Sequence, residues 1–184
     1  MRRREFLGAL GGAATFPLST RAQQGERLRR IGVLFAASAD DPEHQGRIAV
    51  LSQTLVELGW IDGYNVRIDT RWATTNADLR GQAAELVSRA PDVIVAATGT
   101  ATVAPLLQAT SRVPIIFVVV IDPVGSGFVT SLARPGGNAT GFTMFEYGMS
   151  GKWLELLKEI APGVTKAAVL RDPAVASGIG QFGP

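Results

Sequence analysis

The sequence predicts an α/β domain built on a doubly wound parallel sheet. Two observations carry that expectation. Short apolar runs of strand length recur at 31–35, 93–97 and 115–121, and the stretches between them place apolar residues three and four apart. Strands separated by helices of roughly ten to fifteen residues indicate βαβ units and a parallel sheet. Right-handed crossovers then put helices on both faces.

Each element follows from its own pattern. Ile31 to Phe35 reads as a buried strand. Ile48, Leu51, Leu55 and Leu58 mark an amphipathic helix, with Gly59 placed to end it through a left-handed cap. Val66, Ile68, Thr70 and Trp72 alternate with Arg67, Asp69 and Arg71, which suits a strand near a sheet edge. Asn76 is the expected cap of a second helix carrying Leu79, Ala83, Leu86, Val87 and Ala90, and Pro91 stops it. Val93 to Ala97 is uninterrupted and β-branched, as for a strand covered on both faces. Thr98-Gly99-Thr100 turns into a third helix, in which Pro105 is tolerated only near the start.

Ile115 to Ile121 is the strongest strand signal, followed by a turn at Asp122-Pro123-Val124-Gly125. Phe128 to Ala133 is expected as a short fourth helix, and 134–138 as loop. Thr140 to Thr143 reads as a short extended segment. A further helix carries Trp153, Leu156, Leu157 and Ile160 and ends at Pro162-Gly163. Ala167 to Leu170 is expected as one more strand, and the Gly-rich stretch after Asp172 has no partner helix. A new βα unit starts and stops, so the chain is expected to be cut short.

The first 22 residues read as an address. Arg3 and Arg4, then Phe6 and Leu7 after a one-residue gap, resemble a twin-arginine export signal. Its apolar stretch from Phe6 to Leu18 is too short to span a bilayer, and Thr20-Arg21-Ala22 offers small residues at the exit. Cleavage near Ala22 and a periplasmic location are expected. This segment also explains the charge. The whole chain has 18 basic and 16 acidic residues, a net of +2. Arg2, Arg3, Arg4 and Arg21 against Glu5 account for +3, leaving 14 basic and 15 acidic residues, a net of −1. Nucleic-acid binding, which rests on clustered cations, loses its compositional support.

With no Cys and a single His, thiolate sites, disulfides and His-rich metal sites are excluded. In open parallel sheets ligands bind outside the carboxyl ends of the strands. Three loops qualify: Ala36-Ala37-Ser38, Thr98-Gly99-Thr100 and Asp122-Pro123-Val124. The last two precede helices whose free N–H groups attract carboxylates and phosphates; equally, Gly99 and Pro123 suit ordinary βα turns. Gly125 and Gly127 begin a dinucleotide fingerprint, but Thr130 replaces its third glycine. The stretch before Lys152 lacks the first glycine of a phosphate loop, Glu146 standing there. His44 with Asp40 or Asp41 could be an acid–base pair, but a His entering a helix is expected to be solvated. No nucleophile, metal cluster or carboxylate pair is built for bond-breaking, and no cofactor is expected.

Three blocks, Val118 to Phe128, Leu132 to Thr143 and Lys152 to Pro162, resemble the substrate-binding proteins of ABC transporters, among them tryptophan- and tyrosine-type amino-acid receptors. The resemblance implies two periplasmic binding protein-like α/β lobes, here a first lobe over 23–143 and a crossover with an incomplete second lobe over 144–184. It implies a small-molecule ligand, possession of a permease partner, and a monomer when full length. By position, the first-lobe binding loops are Phe35, Ala36 and Ser38; Thr98, Gly99, Thr100 and Ala101; and Ile121, Asp122, Pro123 and Val124. Thr98, Thr100 and the N–H groups after Gly99 would hold a carboxylate, Asp122 an ammonium, and Phe35 would make apolar contact. Hinge residues are expected at Gly141, Phe142, Thr143 and Gly148. A half cleft is expected to bind at least about tenfold more weakly than a full one, because pockets bury most of a ligand. Three other readings remain open: a nucleotide-dependent α/β enzyme, a regulator's ligand-sensing half, and a truncated receptor without function.

Overall fold

A computed structural model describes residues 27–145 and 149–170. Its strands are β1 (Arg29–Phe35), β2 (Val66–Trp72), β3 (Val93–Ala96), β4 (Ile115–Val120) and β5 (Ala139–Thr143). They form one parallel sheet in the order β2-β1-β3-β4-β5. The helices are α1 (Pro42–Glu57), α2 (Asn76–Ser88), α3 (Thr100–Ala109) and α4 (Met149–Ile160). From β1 the chain winds outward to β2, then returns past β1 and proceeds through β3, β4 and β5. The doubly wound α/β expectation therefore holds, with β2 on an edge and the 140–143 segment recruited as the opposite edge strand.

Alternation along the strands divides the core between two faces. Leu34, Ile94, Ala96, Ile115, Phe117 and Val120 pack with Leu79, Ala83 and Leu86 of α2 and Val103 and Leu106 of α3. Val33, Phe35 and Ala97 form the other cluster, against Ile48 and Leu51 of α1. Burying each large aliphatic side chain is worth about 1.5–3 kcal/mol, so the α2–α3 face carries most of the apolar stabilisation.

The helix ends are set by local chemistry. Asp41 caps α1 in extended conformation, accepting from the Glu43 and His44 amides at 2.9 and 3.1 Å, with Pro42 beginning the helix. At the other end Gly59 adopts φ 85°. The Gly59 amide donates to Val56 O and the Trp60 amide to Leu55 O, the paired bonds of a left-handed cap. For α2 the cap is Thr75, not Asn76: the Thr75 backbone is extended and its hydroxyl accepts from the Asp78 amide at 3.2 Å. Pro105 lies at the sixth position of α3, past the first turn. Its missing N–H falls opposite the carbonyl of exposed Ala101, where water can substitute.

Two expected elements do not form. Residues 128–133 are loop, because the chain turns tightly instead: the Phe128 amide donates to Pro123 O, Gly127 stands at φ 72°, and the Thr130 amide donates to Pro135 O. Val129 is turned into the core. Residues 167–170 are not a strand; Leu170 is 99% exposed. A strand needs a neighbour for its N–H and C=O groups, and none of the described strands pairs with this stretch.

Candidate functional site

In the order 2-1-3-4-5 the winding direction reverses between β1 and β3, which opens a crevice at their carboxyl ends. The loops after β1, β3 and β4 meet there. The Ala36 amide, just past β1, donates to Thr98 Oγ1, just past β3, at 2.5 Å. A hydroxyl that accepts still has its own proton to donate. Ser38 is exposed, with its hydroxyl donating to Asp40.

Gly99 caps α3 at φ 65°, ψ −150°, a conformation essentially confined to glycine. No described side chain caps the amides at the start of α3, and no acidic residue lies in its first turn. The partial positive charge of that terminus is therefore uncompensated from within the helix. Thr100 is half-buried and Ala101 exposed beside it. Thr102, fully buried, donates its hydroxyl to Gly99 O at 2.9 Å and fixes the turn from below.

The wall from β4 is irregular. Phe117 pairs with Gly141 and Val120 with Thr143, so three steps along β4 match two along β5. The surplus residue makes a bulge. Within it Val119 stands at φ 61°, a genuine outlier for a β-branched side chain that costs on the order of 1–3 kcal/mol. Its carbonyl oxygen lies 2.9 Å from the point a Gly99 Cβ would occupy. Beyond the bulge, Ile121 is half-buried and Val124 exposed, while Pro123 is buried.

Several expected site residues are engaged elsewhere. Phe35 is 1% exposed, its ring stacked on Trp72 with centroids 4.2 Å apart and met edge-on by His44 at 5.6 Å. It belongs to the core, and the aromatic groups with surface at this edge are half-buried Trp72 and His44. Phe35 and Trp72 end neighbouring strands in register, a juxtaposition visible only once the pairing is known. His44 is also not solvated: its side chain is 17% exposed. Its Nδ1 lies 3.0 Å from Asp41 Oδ1 but out of line for a hydrogen bond. The imidazole and the His44 and Glu43 amides hold the Asp41 carboxyl below its usual range. Asp122 is 5% exposed and accepts from the Gly125 amide at 2.8 Å. Its carboxylate turns into its own loop, leaving no room for a Cβ on Gly125.

Among the expected hinge residues, Gly141 packs so closely on the Phe117 carbonyl that a Cβ has no space. Phe142 and Thr143 are exposed. Gly148 lies outside the described residues, as do Arg3, Arg4, Phe6, Leu7 and Ala22.

A recess of about 390 Å³ lies at the other end of the strands, lined by Ile31, Leu55, Trp60, Val66 and Val93 with Arg29, Arg30 and Asp92. Asp92 is occupied there as a clamp, accepting from the Arg30 amide at 2.9 Å and Arg29 Nη1 at 3.1 Å. Those contacts and Arg27 outweigh partial burial and lower its pKa, the Arg30 amide contributing most.

A single parallel sheet wound in this order, with three loops converging at its switch point, defines a periplasmic binding protein-like α/β lobe. Residues 33–181 match the family described as ABC transporter substrate binding protein, and the chain belongs to that family. A tyrosine-binding protein of Clostridioides difficile (strain R20291) is 35% identical over 119 residues, covering 64% of this chain and 34% of the relative. A conserved domain protein of Vibrio cholerae superposes with a TM-score of 0.68 at 30% identity, covering 82% of this chain and 49% of that one. An ABC domain from Streptococcus pneumonia in complex with L-Trp gives 0.62 at 28% identity, covering 74% and 45%. The chain thus spans about a third of the curated relative's length and about half of each structure's.

Proposed function

We propose that this chain is the ligand-capturing part of an ABC transporter's substrate-binding component, and that it takes an amino acid at the crevice between β1 and β3. The observation that carries this reading is the uncapped start of α3, held by Gly99 beside a Thr98 hydroxyl that is already tied to the β1 loop. These groups are donors, and a carboxylate is the ligand group they complement. Two similar proteins point the same way, one named for binding tyrosine and one solved with L-Trp. Trp72 supplies a half-buried aromatic surface on the same edge of the sheet.

In this reading Thr98, Thr100 and the amides of Thr100 and Ala101 bind the carboxylate, with Ala36, Ser38, Ile121 and Val124 along the walls. Residues 23–143 form the first lobe and 144–184 begin a crossover and second lobe, with the hinge at Gly141, Phe142, Thr143 and Gly148. Closure of a second lobe over the ligand would present the form that the membrane permease recognises. The protein would work in the periplasm after removal of residues 1–22, as a monomer when full length, without nucleic acid and without catalysis.

Thermal-shift titration across the proteinogenic amino acids tests this. A ligand that binds the folded state raises Tm with concentration. The expected result is a graded rise with one or a few amino acids, lost in Thr98→Val. A flat response to every amino acid up to millimolar concentration would sink the amino-acid reading.

A further inference from the structure

We propose that Val119 is a positioning residue of this site: its strained carbonyl braces the Gly99 turn and so aims the start of α3 at the crevice. The proposal rests on the binding-site reading for its purpose, but the brace itself is a matter of geometry. Val119 lies within the β4 bulge, between Phe117 and Val120, at φ 61°. The flanking carbonyl, that of Val120, accepts from the Met144 amide at 2.9 Å and continues the pairing towards β5. Val119 O instead points to the neighbouring turn, 2.9 Å from the site of a Gly99 Cβ. Thr102 holds the Gly99 carbonyl through both its hydroxyl, at 2.9 Å, and its amide, at 3.3 Å.

Gly99 therefore has no room for a side chain towards the bulge, while its carbonyl is tied to the first turn of α3. A β-branched residue is the least suited of side chains to positive φ, and such strain persists only where the surroundings over-determine it. This restraint has a use at this place: it removes the freedom of the one glycine on which the direction of α3 depends. Preorganisation of this kind lowers the ordering cost that a ligand would otherwise meet on binding.

Two variants separate a brace from a bystander. Glycine and asparagine both tolerate positive φ, so Val119→Gly and Val119→Asn should each retain the fold by circular dichroism. In Val119→Gly the carbonyl is free to swing. Exchange of the Thr102 amide should then quicken by about tenfold while the β1 and β3 amides hold their rates. Binding of L-tryptophan, followed by calorimetry, should weaken about three- to tenfold in the same variant. Val119→Asn, which keeps a side chain to restrict the segment, should restore both readouts to near wild type. An unchanged Thr102 rate in Val119→Gly overturns the brace, as does uniform quickening across the sheet. If Thr102 responds as expected while L-tryptophan binds to neither wild type nor variant, the brace stands and tryptophan as ligand fails.

Discussion

Two amphipathic helices of similar length meet different fates in this molecule. In α2, Leu79, Ala83 and Leu86 are buried in the larger cluster, where the helix packs on β1, β2 and α3. In α4, Trp153, Leu156, Leu157 and Ile160 repeat at the same helical spacing, yet none is buried among the described residues, and Ile160 is 75% exposed. Periodicity tells which face of a helix is apolar. Whether that face has a partner depends on what the rest of the fold brings to it. The 27–145 part owns a core on both faces of a sheet; the 149–160 helix has amphipathic pattern without burial.

The largest loss of stability is expected inside the sheet. Phe117→Ala, at 2% exposure in the centre of the larger cluster, should cost about 3–5 kcal/mol, read as a fall in the urea midpoint. A loss below 1 kcal/mol would mean the β4 core is far softer than its packing implies. Gly141→Ala comes next. A Cβ there runs into the Phe117 carbonyl, so the variant should lose about 1–3 kcal/mol or more as β5 is pushed from β4. Gly137→Ala, with open space around it, is the control and should be close to neutral.

Asp41→Ala should lower the urea midpoint by less than Phe117→Ala or Gly141→Ala, through loss of the α1 cap. The pH dependence belongs to this same half of the molecule. Asp41, Glu85 and Asp92 all have lowered pKa values: Asp41 beside His44, Glu85 through Arg71 and then Arg89, and Asp92 through the Arg30 amide. A carboxyl depressed by folding stabilises above its unfolded pKa, and that contribution is lost as pH falls through the folded value. Ordinary values of 3.8 for Asp and 4.5 for Glu place the loss below about pH 4.5. The urea midpoint should therefore hold between pH 7 and 5 with respect to these groups and decline below that, less steeply in Asp92→Asn.

The smallest effect is expected in α4. Leu156→Ala, at 53% exposure, should change stability by no more than about 0.5 kcal/mol. A loss approaching that of Phe117→Ala would show that α4 has a packing partner in solution and would abolish the contrast.

Much of the fold was legible in the sequence because burial on both faces leaves a plain trace. The apolar runs at 93–97 and 115–121, the alternation from Val66 to Trp72, and Gly59 after a helical stripe each state a local physical requirement. The candidate loops were legible too, since they are simply the ends of those strands. The occupation of side chains within them was not. Phe35 reads as an apolar residue facing a crevice, and only the register that sets it beside Trp72 makes it core. Asp122 reads equally as a ligand group or a turn residue until the Gly125 amide is found on it. Residues 128–133 are expected as a short helix, yet the bonds to Pro123 and Pro135 turn the chain there instead.

By itself the sequence determined the class of fold, the order of its five strands and four helices and the family, because these depend on hydrophobic period, on caps and on blocks of residues contiguous in the chain. It did not determine the absence of a helix at 128–133 or of a strand at 167–170. Tertiary structure alone decided which face each apolar residue serves, which loop hydroxyl ties to which amide, and where the backbone is strained. Those depend on partners distant in sequence: Thr98 finds Ala36, and Val119 finds Gly99, only because β1, β3 and β4 lie side by side.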